Sequence, residues 1–236
     1  MTTTTSSAMA LLDIFVSPSN VFNHIKANKK WAWLGLLLII AITGVSSLLF
    51  FNGMSPEWIV EQQLAHAGDM SAQEAEQAKD AMMQFAQYTG VMAAVMGGVF
   101  ILIITSIIAG YNLLISNALA QTNPGFKYGD WFSFTVWTSM PAVINTLGFM
   151  ILFLTATTAE LPLDMANYAS VNQLMLNYLP GDALYTWAES LNLFSLWSIL
   201  LTIIGFQRCC NMSVGKAVLA GALPYLIIFG AWFALV

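Results

Sequence analysis

The sequence predicts an all-α integral membrane protein: a bundle of five transmembrane helices with the N-terminus inside and the C-terminus outside. Three observations lead there. The chain has 236 residues, 58% of them hydrophobic and only 8% charged, with a mean hydropathy of +0.72. A soluble domain carries about 25% charged residues, so a chain this apolar could not cover its own surface in water. Second, five apolar runs lack any Asp, Glu, Lys, Arg or His. Backbone groups in hydrocarbon must be satisfied within the segment, which requires helices. The runs do not alternate as β-barrel strands would. Third, the basic residues sort to one side of such a bundle.

Taken in chain order, residues 1–30 form a cytoplasmic N-terminal segment and residues 31–236 the membrane domain. The opening MTTTTSSAMALLDIF has no basic region and too short an apolar run for a cleaved signal. It reads as a mobile tip. Ser17-Pro18 then marks a helix start. Val21, Phe22 and Ile25 fall on one side of that helix, with His24, Lys26, Lys29 and Lys30 supplying the rest. Such a segment is expected to lie on the cytoplasmic leaflet, where each lysine gains about 1 kcal/mol from anionic lipid. Trp31 and Trp33 would sit at head-group level.

The spans are expected near 31–51, 91–115, 131–154, 187–206 and 217–236. The fourth apolar run, 191–206, is short, so its helix is extended back toward Trp187. In the first outer loop, Ser55-Pro56 opens a helix that Gly68 can end. Ser71 with Glu74 forms a capping box for a second helix that can run into the next span. In the second outer loop, Tyr168, Val171, Leu174, Met175 and Tyr178 suit a short interfacial helix. Pro141 lies inside the third span. It frees the carbonyl of Trp137 and predicts a kink turned toward the bundle interior, with Thr138, Ser139 and Asn145 nearby to re-satisfy the backbone.

With five crossings, Lys26, Lys29, Lys30, Lys127, Arg208 and Lys216 all fall on one side, with Asp13 and Asp130. That side carries a net +4. The other side holds Lys79 against Glu57, Glu61, Asp69, Glu74, Glu76, Asp80, Glu160, Asp164, Asp182 and Glu189, a net −9. Basic loops stay in the cytoplasm, which sets the orientation.

Chemistry is harder to find. The two histidines, His24 and His66, fall on opposite sides and offer no paired metal-ligand spacing. Asp130 and Asp182 are likewise separated and cannot share a water. SVGKA lacks the first glycine and the hydroxyl residue of a phosphate loop, since Cys210 and Ala217 stand there. No span holds an ionisable residue such as proton-coupled carriers use. Catalytic residues, metals and cofactors are therefore not expected, and neither is a nucleic-acid partner.

The neutral residues Asn112, Thr138, Ser139 and Asn145, with Pro141, either hydrogen-bond between helices or line a polar groove for lipid head-groups. Ala94 with Gly98, and Ala217 with Gly221, permit close helix packing, within the chain or in a homo-oligomer. Cys209 and Cys210 are adjacent, so they form no disulfide framework. They are either inert interface residues or sites for an acyl chain. The expected surface for membrane or partner contact is Pro18, Phe22, Lys26, Lys29, Lys30, Lys127, Arg208 and Lys216.

The stretch LLDIFVSPSNVFNHIKANKKWAW, with Ser17, Pro18 and Phe22 before a tryptophan-led span, resembles the opening of bacterial Yip-domain proteins, the Ypt/Rab-interacting membrane family. The resemblance continues in FKYGDWFSFTVWTSMPAVIN with Pro141. It returns in LFSLWSILLTIIGFQRCCNMSVGKAVLAG, where Trp197, Gly205 and the turn Ser213 to Lys216-Ala217 match. It covers nearly the whole chain. The long acidic outer loops depart from the eukaryotic members, so a Rab partner does not carry over. The resemblance implies a non-enzymatic inner-membrane protein of membrane organisation or trafficking, with lipids and a cytoplasmic-face protein as partners. The competing expectation is a transporter or scramblase for lipid or small amphiphiles, working through the polar groove.

Overall fold

The computed structural model describes residues 6–67 and 71–236. Among these residues the secondary structure is helical, with no strand and one isolated antiparallel bridge, Ser170 with Asn192. Two short helices come first, α1 (Ser7–Val16) and α2 (Pro18–His24). Then come α3 (Ala32–Asn52), α4 (Pro56–Ala65), α5 (Ala72–Ala86) and α6 (Thr89–Leu119). The chain continues with α7 (Tyr128–Thr138), α8 (Pro141–Leu154), α9 (Tyr185–Ser190), α10 (Leu193–Cys210) and α11 (Val214–Leu235). Five segments are long and apolar enough to cross a membrane: Lys29–Asn52, Thr89–Leu119, Tyr128–Leu154, Leu193–Cys210 and Val214–Leu235. The protein is thus a multi-pass α-helical membrane protein.

The chain divides into two compact units. The first comprises Met1–Ile40, Phe100–Val143 and Phe194–Ala231; the second comprises Ala41–Val99, Ile144–Leu193 and Trp232–Val236.

In the first unit the core is aromatic. Trp131, Phe134 and Phe206 are buried, with ring centroids 5.1–5.7 Å apart, and Phe22 packs on Phe134 at 5.3 Å. Gly205 has no side chain because the Phe134 and Phe22 rings occupy the place of its Cβ. Along α6, Thr105, Ala109, Asn112 and Ser116 are buried, while Phe100, Ile103, Ile107 and Leu114 are exposed. Small and polar residues face inward and large apolar ones outward, which is the pattern lipid selects.

Two prolines interrupt spans here. Pro224 lies inside α11, so the carbonyl of Ala220 loses its usual amide donor. The hydroxyl of Tyr111 replaces it, donating to that oxygen at 2.6 Å. Pro141 stands at the start of α8, and the third span is broken at Ser139–Met140. The helix is interrupted where the kink is expected, and the bonding there differs from the expectation. The Trp137 carbonyl accepts from the Met140 amide at 3.3 Å, and the hydroxyls of Thr138 and Ser139 both turn to the Thr135 carbonyl. A tighter turn re-satisfies the backbone within the chain itself.

In the second unit Phe50, Met54, Ile59, Phe149 and Leu161 form the core, with Phe51, Trp58 and Phe153 against it. The Trp58 indole donates to the Leu161 carbonyl at 2.8 Å. Caps behave as the sequence implies. Ser55 accepts from the Trp58 amide, and Ser71 and Glu74 form a reciprocal capping box. Gly68, expected to end α4, lies outside the described residues, as does the 1–5 tip; α4 ends at Ala65 with His66 as its cap.

Four expectations are corrected. Helix α5 does not run into the second span, because Gln87 and Tyr88 form a turn between them. The fourth span begins at Leu193 rather than near Trp187. Leu191 and Asn192 are extended, and the Val171 amide donates to the Leu191 carbonyl at 2.7 Å. The outer-loop helix expected around Tyr168–Tyr178 is a five-residue π turn, Asn172–Leu176, ended by Asn177 at φ 55°. Finally, α2 is amphipathic, but Val21, Phe22 and Ile25 are each only 2% exposed. Their apolar side is spent on protein rather than lipid. It is α1 that leaves Leu12 and Val16 uncovered.

Candidate functional site

The first unit collects the basic residues. Helix α7 explains how two of them are held. Asp130, in its first turn, accepts from the Lys127 amide at 2.8 Å and caps the helix. The side chain is 7% exposed, and its other oxygen lies 4.0 Å from the Lys29 ammonium. Lys26 donates to the Pro124 carbonyl at 2.8 Å and sits 5.9 Å from the Phe126 ring centroid, within cation–π range. Arg208 donates to the Ser19 hydroxyl at 3.0 Å. Lys30, Lys127 and Lys216 are exposed. Of the expected contact residues, Phe22 is buried in the aromatic core and cannot meet a membrane surface, and Pro18 is half-buried at the start of α2.

A cavity of about 460 Å³ opens beside these lysines. Lys29, Lys30, Ala32, Trp33, Tyr128, Gly129, Phe132 and Ser133 line it. Trp33 and Phe132 form one wall, ring centroids 6.3 Å apart. The Tyr128 hydroxyl is spent on the Ser106 carbonyl at 3.0 Å. The Ser133 hydroxyl is buried without a partner.

The residues expected to form a polar groove behave differently from one another. In the first unit, the Asn112 amide donates to the Thr135 hydroxyl at 3.1 Å, and that hydroxyl donates to the Trp131 carbonyl. Thr138 and Pro141 are buried, and Ser139 is half-buried. Asn145 belongs to the second unit. Its carbonyl accepts from Tyr168 at 3.3 Å, but its side-chain oxygen is buried without a partner. Ala217 and Ala220 are buried, and Ile203 lies where a Cβ on Gly221 would reach. This small-residue stripe serves packing within the chain.

Sequence reasoning missed the polar cluster of the second unit. His66 Nε2 lies 2.6 Å from an Asp164 carboxylate oxygen, and Tyr185 donates to that same oxygen. His66 Nδ1 donates to the Gln62 carbonyl at 2.6 Å. Partial burial pulls the imidazole pKa down. The Gln62 bond, the Asp164 bond and the charges of Asp164 and Glu189 outweigh it, so the pKa is raised above 6.5. Burial, then Asp164, push the Tyr185 phenol up. Beside it, the Glu189 carboxyl is 5% exposed and accepts from Asn172 at 2.8 Å, Gln173 at 2.7 Å and Ser170 at 3.2 Å. Apolar patterning carries no trace of this cluster, because its members come from four separate elements. No group of three or more His, Cys, Asp or Glu able to hold a metal ion occurs among the described residues.

Five apolar segments among the described residues, a basic unit and an acidic unit define a multi-pass membrane protein. The chain matches the Yip1 domain over residues 12–235, and it belongs to that family. No curated protein and no solved structure matches it.

Proposed function

We propose that this Yip1-family protein is a non-enzymatic organiser of the bacterial inner membrane, acting through lipid and a protein partner on its cytoplasmic face. The observation that carries the reading is the charge of the two units. The first holds six of the seven basic residues and a net +4; the second holds ten of the twelve acids and a net −9. By the positive-inside rule, the loops of the first unit face the cytoplasm and those of the second face away. Residues 1–30 then form the cytoplasmic segment, and residues 31–236 the membrane domain. Lys26, Lys29, Lys30, Lys127, Arg208 and Lys216 form the contact face.

Reporter fusions after Phe51 and after Leu154 should be active outside, and one after Ile115 inside; the inverse pattern overturns the orientation. Photo-crosslinkers at Lys30 and Lys216 should capture lipid and a discrete protein in cells. Capture confined to outer-loop sites would overturn the contact face.

A second reading, passage of lipid or amphiphiles along a polar groove, is favoured by the unpartnered oxygen of Asn145 in a membrane span. Flipping of labelled lipid by the protein in reconstituted vesicles, lost in Asn145→Leu, would support this reading over the first.

A further inference from the structure

The cavity beside α7 has the wrong chemistry for an empty packing defect. A void in a membrane protein core is apolar on all sides and closed. This one is open, and two exposed lysines, Lys29 and Lys30, line it. Its remaining wall is apolar, from Ala32, Trp33 and Phe132.

Three further features point inward at one place. Helix α7 begins here with Tyr128; the Asp130 amide donates to the Lys127 carbonyl at 2.9 Å, which leaves the amides of Tyr128 and Gly129 without an intrahelical acceptor. Gly129 lines the cavity, and nothing lies within 4 Å of where its Cβ would be, so its backbone is open to approach. Ser133, one turn on, is 1% exposed and lines the cavity, yet its hydroxyl has no partner. A buried hydroxyl costs free energy unless it is bonded, so its unspent capacity marks a place for a ligand. Asp130 opposes an anion here. Its charge is turned elsewhere, however: one oxygen caps the Lys127 amide, the other lies 4.0 Å from Lys29, and it does not line the cavity. Lys29 and Lys30 outnumber it.

The position of the cavity selects the occupant. Lys29 and Tyr128 are the first residues of two membrane-spanning segments, so the cavity opens at the depth where head-groups meet acyl chains. A ligand there must be anionic at one end and apolar at the other. The geometry points to a bound anionic phospholipid, its phosphate between Lys29, Lys30 and the start of α7, a polar oxygen on Ser133, and an acyl chain along Trp33 and Phe132. This deepens the proposed lipid-contacting face and rests on that reading. It adds one retained lipid at one site, rather than diffuse attraction to a charged surface.

The test uses the full-length protein in nanodiscs of phosphatidylcholine with phosphatidylglycerol, released into neutral detergent for native mass spectrometry. The wild type should retain one phosphatidylglycerol in preference to phosphatidylcholine. The double variant K29Q/K30Q should lower that retention roughly thirtyfold, about fivefold for each lysine. Ser133→Ala, which leaves the helix intact, should lower it severalfold. Lys79→Gln should leave it unchanged, since Lys79 is exposed in the second unit and does not line the cavity. Equal retention of both lipids by the wild type would overturn the lipid-contacting reading itself. Selective retention that survives K29Q/K30Q and S133A would leave that reading standing and overturn this site. Displacement of the lipid by inorganic phosphate alone would also overturn it, because the site would then read a free anion and not a lipid.

Discussion

The two units solve the same problem, polar groups in a greasy chain, by opposite means. In the first, neutral side chains satisfy backbone carbonyls. Tyr111 serves Ala220, Thr138 and Ser139 serve Thr135, and Tyr128 serves Ser106. Its basic side chains stay exposed, its two acids Asp13 and Asp130 are buried, and packing rests on edge-on and tilted rings around Phe134. In the second, carboxyl groups are drawn in and bonded several times over. Glu189 accepts three neutral side-chain donors, and Asp164 accepts from His66 and Tyr185. The difference teaches where each unit can afford polarity. A carbonyl in hydrocarbon needs only one donor, whereas a buried carboxyl is tolerable only when its oxygens are well supplied. The segments between spans in the second unit are therefore cross-tied by side chains, and the spans by backbone repair.

The sharpest break of that comparison is Glu189→Ala. It leaves Asn172 and Ser170, both nearly fully buried, without their acceptor. Two buried donors at roughly 1–3 kcal/mol each predict a loss of about 3–4 kcal/mol. Thermal unfolding in detergent should show it, with proteolysis appearing first in 163–192. Unchanged stability would mean that the carboxyl is not the hub of the loop.

The equivalent break in the first unit is steric. Gly205→Ala places a methyl group where the Phe134 and Phe22 rings stand. Overpacking of this kind costs about 1–3 kcal/mol. Phe134→Leu in the same chain should recover part of it, because the ring edge is what the methyl meets. Absence of recovery would place the strain elsewhere.

A finer test concerns backbone repair. Tyr111→Phe keeps the ring and removes the donor from the Ala220 carbonyl. The expected loss is about 1–2 kcal/mol, the cost of one unsatisfied group in a dry site. Pro224→Ala restores an amide at the residue whose proton was missing, so the double variant should lose less than Tyr111→Phe alone. Additive losses would show that the phenol was not replacing the proline's bond.

These cases also mark what the sequence made legible. Length and the absence of charge located the spans, since both are properties of continuous segments. Ser55, Ser71 and Glu74 were readable because a cap is local. The fourth span is placed too early because its apolar run, 191–206, is short and the helix is extended back through Glu189 and Asn192. In the fold they belong to a loop network closed by residues some twenty positions away. Phe22 was assigned to the membrane for a similar reason. An apolar helix face next to lysines reads the same whether lipid or Phe134 covers it. The lysines of the candidate site were visible as charge. The unpartnered hydroxyl of Ser133 was not, because nothing in a run such as WFSFTVW distinguishes a bonded serine from an orphan.

The smallest effect separates the units by pH. His66 faces Asp164, Tyr185 and Glu189, and the net result is a pKa raised above 6.5. A raised histidine pKa means that the folded state favours the charged imidazole. Its contribution is full below 6.5 and is lost as pH rises through the folded value. The pair is partly exposed, with side chains 26% and 24% accessible, so solvent screens it and the contribution should stay under about 1 kcal/mol. Melting temperature should therefore fall slightly between pH 6 and pH 8.5. Asp164→Asn should flatten that slope, because it removes both the accepting charge and the nearest coulombic partner. His66→Gln should abolish it. His24→Gln should not, since His24 belongs to the first unit, where its ring bonds only the Asn20 carbonyl at 2.8 Å. A slope that survives His66→Gln but disappears with His24→Gln would move the pH response to the basic unit and reverse the contrast between the two.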